Sequence, residues 1–364
     1  MTICNGLRTV GMGIVIVLLA GCAAIGPPRV ERDRIEYNLS LTDSWKRQIL
    51  LNIVKIRYVE PIFFMDVGEI VAAYSLETGG SVGASRTMFD HSGTGDSTLF
   101  EFGGAAKYTD RPTITYRPLT GTAFFRGVMS PMPLRNVFMS IESGASARFF
   151  FSLGVRSING LRNEMLTPDG YRAADPGFVR VVELVGKLQA VNALHVTRGD
   201  RLPSGFPLLR LTFRGGKDDF KTAARVAELK DLLGLDAKAD SYALGFGGLV
   251  AGKDCVMLQT YSLAQVLAAV SGRVDMPADD VSSHRAAPGL PATDDGGLFR
   301  KGMVLSGKTK PEGTFASVQY RGNWFWIDDH DLTAKKVFSF IMLAFTLMDK
   351  NQQETQLQLT VPTQ

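Results

Sequence analysis

Residues 67–119 read VGEIVAAYSLETGGSVGASRTMFDHSGTGDSTLFEFGGAAKYTDRPTITYRPL. Glycine, serine and threonine here separate isolated aromatic and aliphatic residues, and polar and apolar positions alternate in Thr98–Phe102 and Thr113–Tyr116. Alternation with period two is the mark of a strand with two unlike faces. His91-Ser-Gly-Thr-Gly-Asp supplies turn chemistry between such runs, so the strands are expected to be antiparallel. The same Gly-rich arm is either mobile or an edge that takes a strand from a partner. An early antiparallel element argues against a regular parallel fold. Since helices and strands then follow in irregular order, the chain reads as α+β, with a mixed or largely antiparallel sheet and packed helices.

C-terminal to this stretch, helices are expected over Thr120–Val128 and Leu134–Glu142, then a strand over Ala147–Val155, where Phe149, Phe150 and Phe151 suit burial on both faces. Asp175-Pro176 opens a helix that carries an apolar stripe of Phe178, Val181, Val182, Val185 and Leu188 to about Val191. Further strands are read at Leu208–Phe213, Ser241–Gly245 and Val256–Tyr261, and helices at Asp219–Leu233, closed by Gly234, and Ser262–Val270, stopped by Gly272. Residues 275–297, DMPADDVSSHRAAPGLPATDDGG, have little to bury and read as a disordered loop or linker. Three strands, Gly302–Ser306, Ala316–Tyr320 and Trp324–Ile327, a helix Ala334–Met348 and a last strand Gln356–Val361 complete the chain.

Toward the N-terminus, Ser40 with Asp43 resembles a capping box, and Leu41, Trp45, Ile49, Ile53 and Ile56 recur at helical spacing until Pro61. Lys46, Arg47, Lys55 and Arg57 fall on the other face, as solvated surface or as contacts to anionic lipid head groups. Before that helix, Ala23–Arg34 shows no apolar period and reads as a tether. The first residues, MTICNGLRTVGMGIVIVLLAGCAA, carry one charge at Arg8 and an apolar run from Val10 to Ala20 that is too short to span a bilayer. Leu19-Ala20-Gly21-Cys22 resembles the bacterial lipobox. That resemblance implies cleavage before Cys22, a diacylglycerol on its thiol and acylation of the new amino terminus. Two or more acyl chains, at about 0.8 kcal/mol per buried methylene, anchor a protein without any spanning helix. Ala23 after the cysteine resembles an outer-membrane address in a two-membrane host, with the protein facing the periplasm. The resulting organisation is a signal peptide over 1–21, a lipidated tether over 22–39, a main α+β domain over 40–274, the linker over 275–297, and strands plus a helix over 298–364 that complete the same domain.

Of the 3 cysteines, Cys4 leaves with the signal and Cys22 carries lipid, so Cys255 is the remaining thiol and no internal disulfide is expected. Cys255 lies in a strand-like run and reads as buried and inert. A net charge of +4 in 364 residues is a weak signal for an anionic partner, and no nucleic acid is expected.

Three motifs look like chemistry. Gly302–Thr309, GMVLSGKT, fits the phosphate-loop pattern, yet Met303, Val304 and Leu305 want a strand and Lys310-Pro311-Glu312-Gly313 makes a turn, so a strand end before a hairpin turn is expected and no nucleotide. Gly79–Gly83, GGSVG, fits the nucleophile-elbow pattern, but no helical stripe follows and a flexible glycine loop is expected. Asp328, Asp329, His330 and Asp331 are the candidate metal ligands; between a strand and a helix they serve equally as caps. His91, His195 and His284 are isolated from one another in sequence, and none is assigned an acid partner. No catalytic residue and no cofactor is therefore assigned.

Asn52-Ile-Val-Lys-Ile-Arg-Tyr, Arg111-Pro-Thr-Ile-Thr-Tyr-Arg-Pro-Leu-Thr-Gly, Ser157-Ile-Asn-Gly-Leu-Arg-Asn and Tyr320-Arg-Gly-Asn-Trp-Phe-Trp-Ile-Asp together resemble a group of uncharacterised Gram-negative envelope lipoproteins. The resemblance implies an envelope address and lends no active site. The expectation is a lipid-anchored interaction or assembly module with envelope protein partners. The alternatives are an envelope hydrolase with a site dispersed in sequence and a glycan- or small-ligand-binding protein that stacks its ligand on Trp324 and Trp326.

Overall fold

The computed structural model describes residues 27–71, 74–87, 97–110, 113–167, 170–201, 207–214, 219–247, 252–290 and 302–348. The chain divides into two compact units, Met1–Ile62 with Thr120–Gln364, and Phe63–Leu119. The first elements in chain order are helix α1 (Pro27–Arg57) and strands β1 (Phe64–Val71), β2 (Tyr74–Thr87), β3 (Ser97–Asp110) and β4 (Thr113–Leu119). Helices α2 (Gly121–Met129), α3 (Leu134–Glu142) and α4 (Ala147–Gly154) lead to β5 (Val155–Ile158), β6 (Leu161–Arg162), β7 (Met165–Thr167) and β8 (Gly170–Arg172). Then come α5 (Pro176–Ala190), β9 (Leu194–Arg201), β10 (Pro207–Phe213), α6 (Phe220–Leu232), β11 (Ser241–Phe246) and β12 (Cys255–Thr260). The chain continues with α7 (Leu263–Ser271), α8 (Ala278–Ser282), β13 (Leu305–Gly307), β14 (Thr314–Tyr320), β15 (Asn323–Asp328) and α9 (Leu332–Met348).

The larger unit is α+β, as the alternating patterns predict. Its main sheet has the order β6-β5-β12-β11-β10-β9, antiparallel except for the parallel pair β11–β12. A second sheet has the order β13-β15-β14, all antiparallel. Arg321 and Gly322, both at positive φ, turn β14 into β15, a two-residue reversal whose twist matches the strands it joins. Helix α7 begins with a complete capping box in which Ser262 and Gln265 satisfy each other's backbone amides. It packs against α1, α2 and α9, where Ile49, Leu50, Ile53, Leu267, Val337, Phe338 and Ile341 are wholly buried. No helix among the described residues is long and apolar enough to cross a membrane.

Several local expectations are corrected. The helix expected from Ser40 begins at Pro27, so residues 27–39 of the expected tether are helical and Ser40 lies in mid-helix. That first half buries little, with Ile35 57% and Leu39 61% exposed, and a helix surrounded by solvent shows no apolar stripe to read. Proline at its start costs no hydrogen bond, and Arg32 with Glu36 adds an i,i+4 pair at 3.8 Å. Arg57, expected on the polar face, is buried and donates to the carbonyls of Ala287 and Pro288.

Ala147–Gly154 is a helix rather than a strand. Ser146 Oγ accepts the Phe149 amide at 3.3 Å, and the buried set Ala147, Phe150, Phe151 and Leu153 follows helical spacing. The expected linker is ordered over 275–290. Asp280 in α8 is 4% exposed and accepts the Tyr58 hydroxyl at 2.5 Å, while Ala286 and Leu290 are buried. Residues 291–297 and the expected strand Gln356–Val361 lie outside the described residues.

The smaller unit is a ribbon. Strand β1 pairs antiparallel with β4, and β2 with β3. Glu69 faces Thr115, Val71 faces Thr113, Tyr74 faces Asp110 and Thr87 faces Ser97, so the two ladders share one register. A bulge between Val67 and Glu69 places one extra residue, Gly68, beside the Arg117 side chain, whose flexible end would have to shift for an added Cβ, 2.6 Å from its Nε.

Candidate functional site

The ribbon is the first candidate. Both of its ladders are two-stranded, so among the described residues no third strand covers either edge. Unpaired edges of this length template further pairing, and an isolated two-stranded ribbon is marginal in water. Cross-strand partners in an antiparallel pair share a face, so register and parity assign every position. One face takes Leu76, Thr78, Gly80, Val82 and Ala84, opposite Tyr108, Ala106, Gly104, Phe102 and Phe100. The other takes Ser75, Glu77, Ser81, Ser85 and Thr87, opposite Thr109, Lys107, Gly103, Leu99 and Ser97. In the β1–β4 ladder the first face continues with Ile70 opposite Ile114 and Val67 opposite Tyr116, and Tyr116 is 58% exposed. The segment is thus amphipathic by position. The period-two signal read at Thr98–Phe102 and Thr113–Tyr116 belongs to this pattern; its partner β2 was harder to see because glycine and alanine dilute the alternation.

A second surface feature is aromatic. In β15, Asn323, Phe325 and Ile327 are buried while Trp324 and Trp326 are half-buried on the opposite side. Lys310 Nζ stands 5.8 Å from the Trp324 ring centre, and the Trp326 ring covers Gly307, where an added Cβ would lie 3.3 Å from ring atoms. Both tryptophans therefore share the outer face of the sheet, with Ser317 and Gln319 as their β14 neighbours.

Two polar clusters hold the larger unit together. Asp280 accepts from Tyr58 and lies 2.7 Å from Arg285 and 3.4 Å from Asn323 Nδ2. Beside it, Glu60 accepts from the Tyr320 hydroxyl at 2.5 Å and Arg321 at 2.7 Å, which hold its carboxyl below the usual range, the Tyr320 bond contributing most. Burial, then the bond to Asp280, pushes the Tyr58 phenol upward. In the second cluster Arg273, 2% exposed, reaches Glu164 at 2.7 Å, and Glu164 also accepts from Tyr171 at 2.6 Å. Burial, then Glu164, pushes the Tyr171 phenol up to about 12. These groups pair across elements distant in sequence, with Arg273 Nε and Nη1 left without a hydrogen-bond partner among the described residues, and they tie α1, α8 and β15 in one case and the start of β7, β8 and the end of α7 in the other. No short motif announces such pairs.

The sequence candidates disperse. Asp328 accepts the His330 amide at 2.7 Å and faces its Nδ1 at 3.0 Å, Asp329 pairs with Lys335 Nζ at 2.8 Å, and Asp331 Oδ1 accepts the amides of Thr333 and Ala334 at the start of α9. The tetrad caps a helix and does not converge, and among the described residues no group of three or more His, Cys, Asp or Glu is placed to hold a metal. Gly302–Thr309 runs through a buried Met303-Val304 into β13 and then a bend, with no helix at its Lys-Thr. The expected hairpin is corrected, because β15 lies between β13 and β14. Gly79–Gly83 is strand rather than loop, with Ser81 opposite Gly103. Cys255 opens β12 half-buried rather than fully buried, its thiol 3.8 Å from the Gly252 carbonyl. His195 meets the Asn192 carbonyl at 2.8 Å, and His284 is an exposed turn residue at positive φ. Cys4, Cys22 and His91 lie outside the described residues. Comparison with protein-family models, with curated proteins and with solved structures finds no match.

Proposed function

We propose that the chain is a lipid-anchored protein of the bacterial cell envelope, held at the outer membrane through Cys22 and facing the periplasm, whose role is interaction or assembly. The observation that supports it is the ribbon, whose two edges no strand covers among the described residues and whose register gathers apolar residues on one face, beside a unit that has its own core. Such a surface recruits another chain by adding strands. Lipid anchoring restricts the search to the membrane plane, which raises the effective concentration of partners.

Cross-linking in intact cells, then detergent extraction and mass spectrometry of what copurifies with the tagged protein, tests this. The control is a Cys22→Ser chain exported by an unlipidated signal. Recovery of a defined envelope complex by the lipidated form is the expected result; recovery of abundant membrane proteins alone from both forms rejects the reading.

A second reading has its own observation. Because Trp324 and Trp326 lie on the outer face of β15 and not in the core, they form a ledge for stacking a sugar ring beside Lys310. Titration of tryptophan fluorescence with cell-wall fragments tests it, with Trp324→Ala as control. A hydrolase has less behind it, since the carboxylates of the candidate tetrad are engaged in caps and ion pairs.

A further inference from the structure

The ribbon also suggests what covers it. Between Asp110, opposite Tyr74, and Arg86, opposite Thr98, its apolar face carries no charge. The uncharged band runs from Leu76 opposite Tyr108 to Ala84 opposite Phe100. That is roughly nine residues on each strand, against the roughly 9–11 of a membrane-spanning strand. At ~3.3 Å per residue the band is about 30 Å long. Tilted by ~40°, as barrel strands are, it covers about 23 Å, close to the ~25 Å apolar belt of outer-membrane barrels.

Its composition fits the same solvent. Tyr74 and Tyr108 stand toward one end of the band and Phe100 and Phe102 toward the other, with Gly80 opposite Gly104 between them. Aromatic residues at both limits are how membrane barrels meet the two interfaces. The opposite face holds Ser75, Glu77, Ser81, Ser85, Glu101, Lys107 and Thr109, with Leu99 and Ala105 its apolar members, and suits a mainly polar interior. A partner protein's groove would need no charge-free band of membrane thickness, and no polar alternation behind it.

A bilayer does not tolerate unpaired strand edges, so one ribbon cannot cross it alone. In a ring of identical ribbons, β2 of one copy lies antiparallel to β3 of the next, and every edge is paired. We propose that this chain forms an oligomeric transmembrane β-barrel to which each copy contributes β2 and β3. The smallest barrels have about eight strands, which sets about four copies as the minimum. This inference rests on the assembly reading above and names its partner as a second copy in lipid.

The test uses the full lipidated chain in membranes isolated from expressing bacteria. In a Cys255→Ser background, single cysteines replace Leu76, Glu77, Ser81, Val82, Ser85 and Phe102 and carry an environment-sensitive fluorophore. The expected result is alternation: labels at 76, 82 and 102 are quenched by nitroxide-bearing acyl chains, those at 77, 81 and 85 by aqueous iodide. Chemical cross-linking of the same membranes gives ladders reaching at least about four copies. Phe102→Asp abolishes the lipid contact while circular dichroism and the melting of the larger unit stay unchanged. Absence of alternation overturns the barrel. If labels at 76, 82 and 102 are instead shielded by cross-links to a different envelope protein, the barrel fails and the interaction reading stands. If the labels are open to water and nothing cross-links, both fail.

Discussion

The two units of this chain solve the problem of burial in opposite ways. In the larger one, Ile49, Ile53, Leu267, Phe325, Phe338 and Ile341 are sealed from solvent, drawn from helices and strands far apart in sequence. In the ribbon, Phe64 alone is buried among the residues of β1 and β4, and Val71, Ile114 and Tyr116 are open. Apolar burial is the main favourable contribution to folding, at roughly 25 cal/mol per Å². A segment that keeps apolar residues outside forgoes that contribution in water, and it is there that the proposed partner would be met.

Cutting into the larger core should cost the most stability. Phe338→Ala removes a ring packed edge-on against Phe315 from a wholly buried site. It should lower unfolding free energy by about 3–5 kcal/mol, read by denaturant titration of the unlipidated Cys22→Ser chain. Asp280→Ala comes next. It leaves the buried Tyr58 hydroxyl without its acceptor and frees α8 from α1 and β15, at a cost of about 1–3 kcal/mol. If that substitution were silent, residues 275–290 would be the linker their composition suggests.

Much of the larger unit was legible because its signals are local. Pro176 at a helix start, the Ser262–Gln265 capping box, Gly234 after α6 and the apolar run of α9 each act within a turn or two of the residue that carries them. What stayed hidden depended on distance. Residues 275–290 are ordered by Tyr58, Arg57 and Gly272, none of them nearby in sequence except the last. Three adjacent phenylalanines fit a strand buried on both faces until Ser146 caps a helix there instead. The ribbon was half legible: alternation was visible in β3 and β4, but the register that turns it into one apolar face needs β2, whose glycines carry no periodic signal.

Smaller effects separate cap from ligand. Asp331→Ala removes the acceptor for two α9 amides and should cost about 1 kcal/mol. A chelator should leave the melting temperature of the wild-type chain unchanged; a drop of several degrees would restore the metal reading of Asp328–Asp331. Glu60→Gln probes the neighbouring cluster by pH. The carboxyl of Glu60 has its pKa lowered by folding, so its contribution is full above the unfolded value of about 4.3 and disappears as pH falls through the folded one. The melting difference between wild type and variant, no more than about 1 kcal/mol at neutral pH for so accessible a pair, should close below about pH 4.

The smallest expected effect bears most directly on the ribbon. Ile114→Asn changes an exposed apolar residue on the same face as Ile70 and Tyr116. In the unlipidated chain in water that side chain is already solvated, so unfolding of the larger unit should move by no more than about 0.5 kcal/mol, as for an ordinary surface site. A loss of several kcal/mol would mean that the apolar face is buried within the chain, and the contrast between the two units would collapse. If melting is unchanged while the same variant loses its cross-linked partners in cells, the face is a surface kept for another molecule. The pairing of a silent melt with a lost complex is what a residue reserved for association should show, because its apolar area leaves water only when the partner arrives.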